Sequence, residues 1–286
     1  MTEEARLPVE EGPTLRRRRL GAELKRCREA AGMTQEIVSR HFEWHSAKVT
    51  RIETARVAVT PRDVKDLLTL YGVTDDEYRE ALMALARRSR EKTWWADYRD
   101  LMRPGDFVGL EAGAASMRTW EPLVVPGLLQ TEEYIRALIR SGRPSDPDKD
   151  IDRRISLRLA RQARLTGDRP LEFSAIIDES VVRREIGGRR VMADQLRHLI
   201  EATQLPNVTV QILPLDAGAH PFLGGPAALL EFREVTHLDV VYVEGLAGDY
   251  YEEQPNEVAR YRQDFERLSA RALDDRMSIK LIEGLL

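Results

Sequence analysis

The sequence predicts an α+β protein, mostly α, built in two parts. Apolar residues recur at helical spacing from Leu15 onward, and four short β-rich runs lie only in the second half, between residues 171 and 245. Charge is also unevenly shared. Between Thr14 and Arg56 the bases Arg16, Arg17, Arg18, Arg19, Lys25, Arg26, Arg28, Arg40, Lys48, Arg51 and Arg56 face the acids Glu23, Glu29, Glu36, Glu43 and Glu53, eleven against five, in a chain whose net charge is -4. The remainder is therefore acidic, and such asymmetry points to a nucleic-acid face at the N-terminal end.

A length of 286 residues suits about two domains. The boundaries expected are a disordered arm over 1–13, a helical domain over 14–73, a helical connector over 74–104 and an α+β domain over 105–286. The arm is polar and carries Pro8 and Pro13. A first helix follows through Leu20, Leu24, Cys27 and Ala31, stopped by Gly32. Cys27 lies on its apolar stripe and is expected to be a small buried hydrophobe. The run Arg16–Arg19 is compatible with a solvated face or with a clamp on phosphates. Thr34 can cap a second helix that turns Val38, Ser39 and Phe42 inward, and a third, from Ser46 to Thr54, would bury Val49 and Ile52. Pro61 opens a fourth with Val64, Leu67, Leu68 and Tyr71, stopped by Gly72. Residues 74–98 continue as one long amphipathic helix through Leu82, Leu85 and Trp94-Trp95.

Beyond residue 105, helices are expected at 132–142, 150–166, 189–204, 255–273 and the chain end. The strands are "LEFSAIID", "NVTVQILP", "AALLEFR" and "DVVYVEG", bounded by turn residues. Helices between the strands and close strand pairs near the end favour a small mixed or antiparallel sheet. The Arg-rich helix 153–164 is expected to be a solvated face, though it could receive an acidic partner. A single cysteine excludes a disulfide framework and a multi-cysteine zinc site. The acidic opening Met-Thr-Glu-Glu-Ala-Arg is not a secretory leader, and no apolar run reaches the roughly 18 residues of a membrane span. A cytoplasmic location, without membrane association, is expected.

The stretch "GMTQEIVSRHFEWHSAKVTRIETAR", residues 32–56, carries the chemistry. Two helices joined by a short turn can place the second in the major groove, where base edges distinguish every base pair. Ser39 is small where the helices meet, and Gln35 opens the second helix within reach of a phosphate. The outer face of the third helix keeps Ser46, Ala47, Lys48, Thr50 and Arg51, which are short or basic. These residues resemble the lambda-repressor-like, or Xre-type, five-helix DNA-binding domain over residues 15–72. The resemblance implies that Gln35 contacts phosphate, that Ser46, Ala47 and Arg51 face bases, and that Lys48 and Thr50 lie on the DNA backbone. It also implies that Arg28 and Glu53 form a structural pair tying the first helix to the third. Glu43 stands where the family usually has a turn glycine, which demands a positive φ or a reshaped turn.

Residues 92–285 are similar to a domain of unknown function found behind Xre-type domains in actinobacterial regulators, the WhiJ-like developmental regulators and the antitoxin-like members of Scr-type modules. The residues that carry the match are "TWWADYRD", "LEAGAASMRTWEPLVVPGLLQTEEYIRALI", "RLARQARLT", "VMADQLRHLIEATQLPNVTVQILPLDAGAHP" and "VVYVEGLAG". The resemblance implies a transcriptional regulator that binds double-stranded DNA, with a C-terminal domain that mediates dimerisation or senses a partner such as a small BldB-like or Scr-type toxin-like protein. A homodimer on paired half-sites is expected, because one small domain of this kind has limited affinity.

Acid–base chemistry would have to draw on Asp178, Glu179, His198, His220 or Glu244. No catalytic motif joins them, so no catalytic residue, metal or cofactor is expected and the protein is expected not to be an enzyme. The loops "LVVPGLLQTEEY" and "DAGAHPFLGGP" are rigid turns that could line a groove, or simply connect elements.

Overall fold

A computed structural model describes residues 13–102, 107–232, 238–245 and 248–286. The chain divides into two compact units between Ala96 and Asp97. The protein is α+β and mostly helical, with its sheet confined to the second unit.

The first unit contains α1 (Pro13–Ala30), α2 (Gln35–His41), α3 (Ala47–Glu53), α4 (Pro61–Leu70) and α5 (Asp76–Arg88). Local chemistry opens these helices. The Thr34 hydroxyl accepts from the Ile37 amide, Thr60 caps α4 ahead of Pro61, and the Asp75 carboxylate accepts from the Tyr78 amide, satisfying amides that lack a helical partner. Leu20, Leu24, Cys27, Val38, Val49, Ile52, Val64, Leu67 and Leu68 form one core, to which Leu82 and Ala86 of α5 belong. Each fully buried Leu or Val there contributes about 1.5–3 kcal/mol.

The expected connector is thereby corrected. Residues 74–98 are not one helix: α5 ends at Arg88, a 3₁₀ segment runs from Trp94 to Leu101, and α5 is an integral wall of the first core. A charged amphipathic helix looks the same in sequence whether its apolar stripe meets a neighbouring helix or caps a linker. Most of the expected arm, residues 1–12, and the residues flanking the boundary at 104–105 lie outside the described residues, while Pro13 is the first residue of α1. The Arg16–Arg19 run is not a bare solvated face: Arg16 is buried and donates to Glu91 at 2.6 Å and to the Arg88 carbonyl at 3.2 Å.

The second unit contains α6 (Phe107–Gly113), β1 (Ser116–Glu121), α7 (Glu132–Gly142), α8 (Asp148–Gln162), β2 (Glu172–Asp178), α9 (Glu179–Arg183), α10 (Arg189–Ala202), β3 (Val208–Leu213), β4 (Ala227–Glu231), β5 (Val240–Val243), β6 (Tyr250–Glu252), α11 (Pro255–Ser269) and α12 (Asp275–Glu283). The strands form a mixed sheet in the order β3-β2-β1-β4-β5-β6. β1 pairs in parallel with β2, and β2 with β3; the pairs β1–β4, β4–β5 and β5–β6 are antiparallel. On one face Trp120, Ile176, Leu213, Leu229 and Val241 pack with Val258, Phe265 and Leu268 of α11. Residues of the opposite parity, among them Met117, Phe173, Ala175, Ile177, Val210 and Val240, are buried as well, so the strands read as near-continuous apolar runs.

Candidate nucleic-acid interface

α2 and α3 are joined by a five-residue turn, Phe42 to Ser46. Glu43 adopts φ +54°, the left-handed conformation its position demands. It occupies the C-terminal cap of a Schellman motif: the Trp44 amide donates to the Ser39 carbonyl at 2.8 Å and the Glu43 amide to Arg40 at 3.3 Å. Ser39 is buried where α2 meets its neighbours.

One polar network fixes this unit. Arg28 on α1 donates through Nε to Glu53 Oε1 at 2.6 Å and through Nη2 to Glu53 Oε2 at 3.0 Å, and its Nη1 caps the Met33 carbonyl at 2.7 Å. Glu53 holds the guanidinium above its ordinary pKa. Glu53 Oε2 also accepts from Gln35 Nε2 at 2.7 Å, and Gln35 Oε1 accepts from the Thr50 hydroxyl at 2.7 Å. The pair thus ties α1 to α3 and also sets the amide of Gln35 at the first position of α2. α1 lies close on α3 because residue 21 is glycine: a Cβ there would fall 2.6 Å from the Glu53 carbonyl oxygen and 2.7 Å from that of Ile52.

On the outer side of α3, Ser46, Ala47, Thr50 and Arg51 are all exposed. Arg51 has no side-chain hydrogen bond or ion pair among the described residues, so its guanidinium is available to a ligand. Lys48 differs. It is half-buried, lies 3.5 Å over the Trp44 ring and 3.7 Å from Asp63. Two neighbours of the site were not singled out from sequence. His45 accepts the Ala47 amide on Nδ1 at 3.3 Å, taking over the cap that Ser46 does not make, and Trp44 stacks on Phe42 at 4.8 Å. The "EWH" just ahead of Ser46 was the available signal.

The titratable residues weighed for catalysis are mostly engaged in local contacts. Asp178 caps α9 through Ser180, Glu179 is held by Arg183 and the Leu215 amide, and His198 sits on α10 3.9 Å from Glu201. His220 packs on Trp120 at 4.9 Å, with burial and the charge of Arg271 lowering its pKa against the opposing charge of Asp178, and Glu244 follows β5.

The first unit is that of a helix-turn-helix protein, and a helix-turn-helix domain family model matches residues 19–82. Residues 104–284 match the model of a domain of unknown function, DUF5753, and the chain belongs to that family. No characterised protein and no solved structure matched the chain. The helix-turn-helix places the protein among DNA-binding proteins of the kind that regulate transcription. Among the described residues no helix is long and apolar enough to cross a membrane.

Proposed function

We propose that the protein is a sequence-specific transcriptional regulator of the Xre type that binds operator DNA as a homodimer, and that its second unit mediates dimerisation or partner sensing without catalysing a reaction. One observation carries this reading: α3 presents Ser46, Ala47, Thr50 and Arg51 on one exposed face while Glu53 and Thr50 hold Gln35 beside it. A positioned amide for phosphate next to a free guanidinium for a guanine edge is the division of labour that groove reading uses. Lys48, shared with Trp44 and Asp63, would reach the DNA backbone only by leaving them.

The test is selection of DNA sites from a random pool by the full chain, repeated with Arg51→Ala and Gln35→Ala. Arg51→Ala is expected to lose discrimination at one base position, by about 1–3 kcal/mol, whereas Gln35→Ala weakens all sites alike. A random pool returned without an enriched motif would overturn the reading.

The antitoxin-like alternative, in which the second unit sequesters a small BldB-like or Scr-type toxin-like protein and DNA binding serves autoregulation, has its own support. A groove of about 440 Å³ lies between α9, α10 and the chain end, lined by Val182, Met192, Leu196 and Leu285 together with Arg183, Arg189 and Glu185, of which Arg189 and Glu185 pair with each other at 3.2 Å. An apolar segment of a small acidic protein fits that chemistry. Mixing the full chain with the product of a neighbouring short reading frame should give a complex that Leu196→Asp abolishes; no complex by gel filtration would remove this alternative.

A further inference from the structure

The second unit holds charged side chains that DNA binding leaves unused. The expectation that the Arg-rich helix is a solvated face fails here, because α8 turns two arginines inward. Arg161 donates to both carboxylate oxygens of Glu111 on α6, at 2.8 and 2.7 Å, and lies 5.5 Å from the Phe107 ring centroid. Phe107 in turn packs on Tyr242 of β5 at 4.3 Å. Arg158, one turn earlier, donates to Gln130 Oε1 at 2.9 Å. That is its one hydrogen bond among the described residues, and none of their carboxylates lies within ion-pair distance of it.

Glu121 ends β1 and accepts the Thr119 hydroxyl at 2.9 Å. Glu244, which follows β5, is close enough to act on both Glu121 and Arg158. β1 and β5 run in the same direction, since each is antiparallel to β4. The cluster therefore lies at carboxyl ends of strands, the edge at which sheets of this kind hold ligands.

Burial is the leading influence on all three inner groups. It pushes the Glu121 carboxyl up to about 7, against the Thr119 hydrogen bond and with help from Glu244. It lowers Arg158, with the charge of Arg161 adding to the effect, and it opposes the charge on Arg161, which Glu111 nonetheless raises. Yet each keeps accessible surface, 17% for the Arg161 side chain. Phe107, Glu121, Arg158, Arg161 and Tyr242 are all only partly exposed, and with Phe107 touching both Arg161 and Tyr242 they form one partly open cluster, a recess. Its wall is stiff: Gln130 is buried and donates to the Val125 carbonyl at 2.6 Å, and the Val125 amide donates to the Tyr134 hydroxyl at 3.1 Å.

Arg158 feels the charge of Glu244 but makes no ion pair with a described carboxylate, and a partly desolvated guanidinium without such a contact is costly until an anion joins it. We infer that this recess is the binding site of a small organic oxyanion, a carboxylate or phosphate held by Arg158, with Glu121 as the acid beside it and Phe107 and Tyr242 flanking its apolar part. A bound anion favours the protonated form of Glu121, so binding takes up a proton and strengthens as pH falls. The groups that act on Glu121 are the Thr119 hydroxyl, Glu244, Arg161 and, from α7, Tyr134.

The test is thermal unfolding of the full chain without DNA, so its outcome is independent of the operator reading. Succinate and inorganic phosphate are each compared with chloride at equal ionic strength, at pH 6 and pH 8. At least one should raise the melting temperature, more at pH 6 than at pH 8. A shift from succinate alone assigns a carboxylate, and one from phosphate alone a phosphate. Arg158→Met should abolish the shift while leaving the anion-free melting temperature unchanged or higher, and Glu121→Gln should keep the shift but lose its pH dependence. The inference is overturned if neither anion acts beyond chloride, if Arg158→Met retains the shift, or if that substitution lowers the anion-free melting temperature, since Arg158 would then be a support for Gln130. Should Arg158→Met not fold, a pH dependence unchanged in Glu121→Gln overturns it equally.

Discussion

The two units each contain a buried arginine–glutamate pair with two hydrogen bonds, and the pairs differ in what lies around them. Arg28–Glu53 is closed on all sides, with side-chain exposures of 8% and 3%, and its spare bonding capacity goes to the Met33 carbonyl and to Gln35. Arg161–Glu111 is closed only at the acid, with exposures of 17% and 1%, and beside it stand Arg158, which makes no ion pair among the described residues, and Glu121 with its proton affinity raised. The same chemistry serves in one place as a structural tie that positions Gln35, the proposed phosphate contact, and in the other as one side of the proposed anion site. Completeness of the hydrogen bonding, not burial of the charge, separates the two.

The most severe way to break this comparison is to remove the acid from each pair. Glu53→Ala leaves Arg28 buried without a counterion and frees Gln35, and should destabilise the first unit by about 3–5 kcal/mol. Glu111→Ala should cost the second unit less, about 1–3 kcal/mol, because solvent already reaches Arg161 and can take over part of the bonding. Equal losses in calorimetry would mean that the openness of the second pair has no energetic content.

Next in size is the backbone approach on which the closed pair depends. Gly21→Ala drives a methyl group into two carbonyl oxygens at 2.6 and 2.7 Å, which are backbone atoms and cannot swing aside. Separating α1 from α3 should cost about 1–3 kcal/mol and weaken DNA binding, as Arg28 is drawn off Glu53. A variant with unchanged denaturant midpoint would show that the helices slide without loss.

What was legible in the sequence follows the same division. The first unit rests on local rules: caps at Thr34 and Thr60, stops at Gly32 and Gly72, and helical spacing of Val38, Val49 and Ile52, so α1 to α4 were read in order. The four apolar strands and the longer helices α7, α8, α10 and α11 were legible for the same reason, whereas the short α6, α9 and β6 were not. β1 was missed although it lies in the middle of the sheet, because Ser-Met-Arg-Thr-Trp-Glu places polar groups where a central strand should be apolar. They are tolerated because Glu231 takes Arg118 and Ser116, and Arg262 takes Glu231, partners more than 100 and about 30 residues away along the chain. Inward arginines on α8 were hidden likewise: Glu111 is 50 residues from Arg161, and no local pattern announces it.

The open recess carries a smaller, pH-dependent effect. Glu121 titrates at about 7 in the folded chain against 4.5 as its ordinary value. Between those values the folded state holds a proton that the unfolded state has released. Its contribution is therefore present at low pH and is lost as pH rises through 7, on the order of 1–2 kcal/mol once the solvent that reaches the group is allowed for. Urea titrations from pH 5 to pH 8 should show the second unit weakening and the first unaffected by this group. Glu121→Gln should flatten that slope and be the more stable form at pH 8; a slope that persists assigns it to another group.

The smallest effect tests the first unit against itself. α1, α2, α3 and α4 all end in the same cap, with the second residue after the helix in a left-handed conformation and the next amide bonded back to the third-last helical carbonyl. Two of the left-handed residues are Gly32 and Gly72, at φ +66° and +71°; the other two are Glu43 and Ala55, at +54° and +57°. A Cβ at Gly32 meets nothing within 4 Å, so Gly32→Ala isolates the backbone cost, about 1–2 kcal/mol. Glu43→Gly should release a comparable strain but widen the unfolded ensemble, giving a net gain of about 0.5–1 kcal/mol. It also removes a negative charge from the turn that the proposed mode of binding brings near the phosphates, so affinity for DNA should rise most at low salt. If Glu43→Gly gains nothing while Gly32→Ala loses the full amount, the Glu43 side chain must offset its own backbone strain, and the two kinds of cap in this unit are not equivalent.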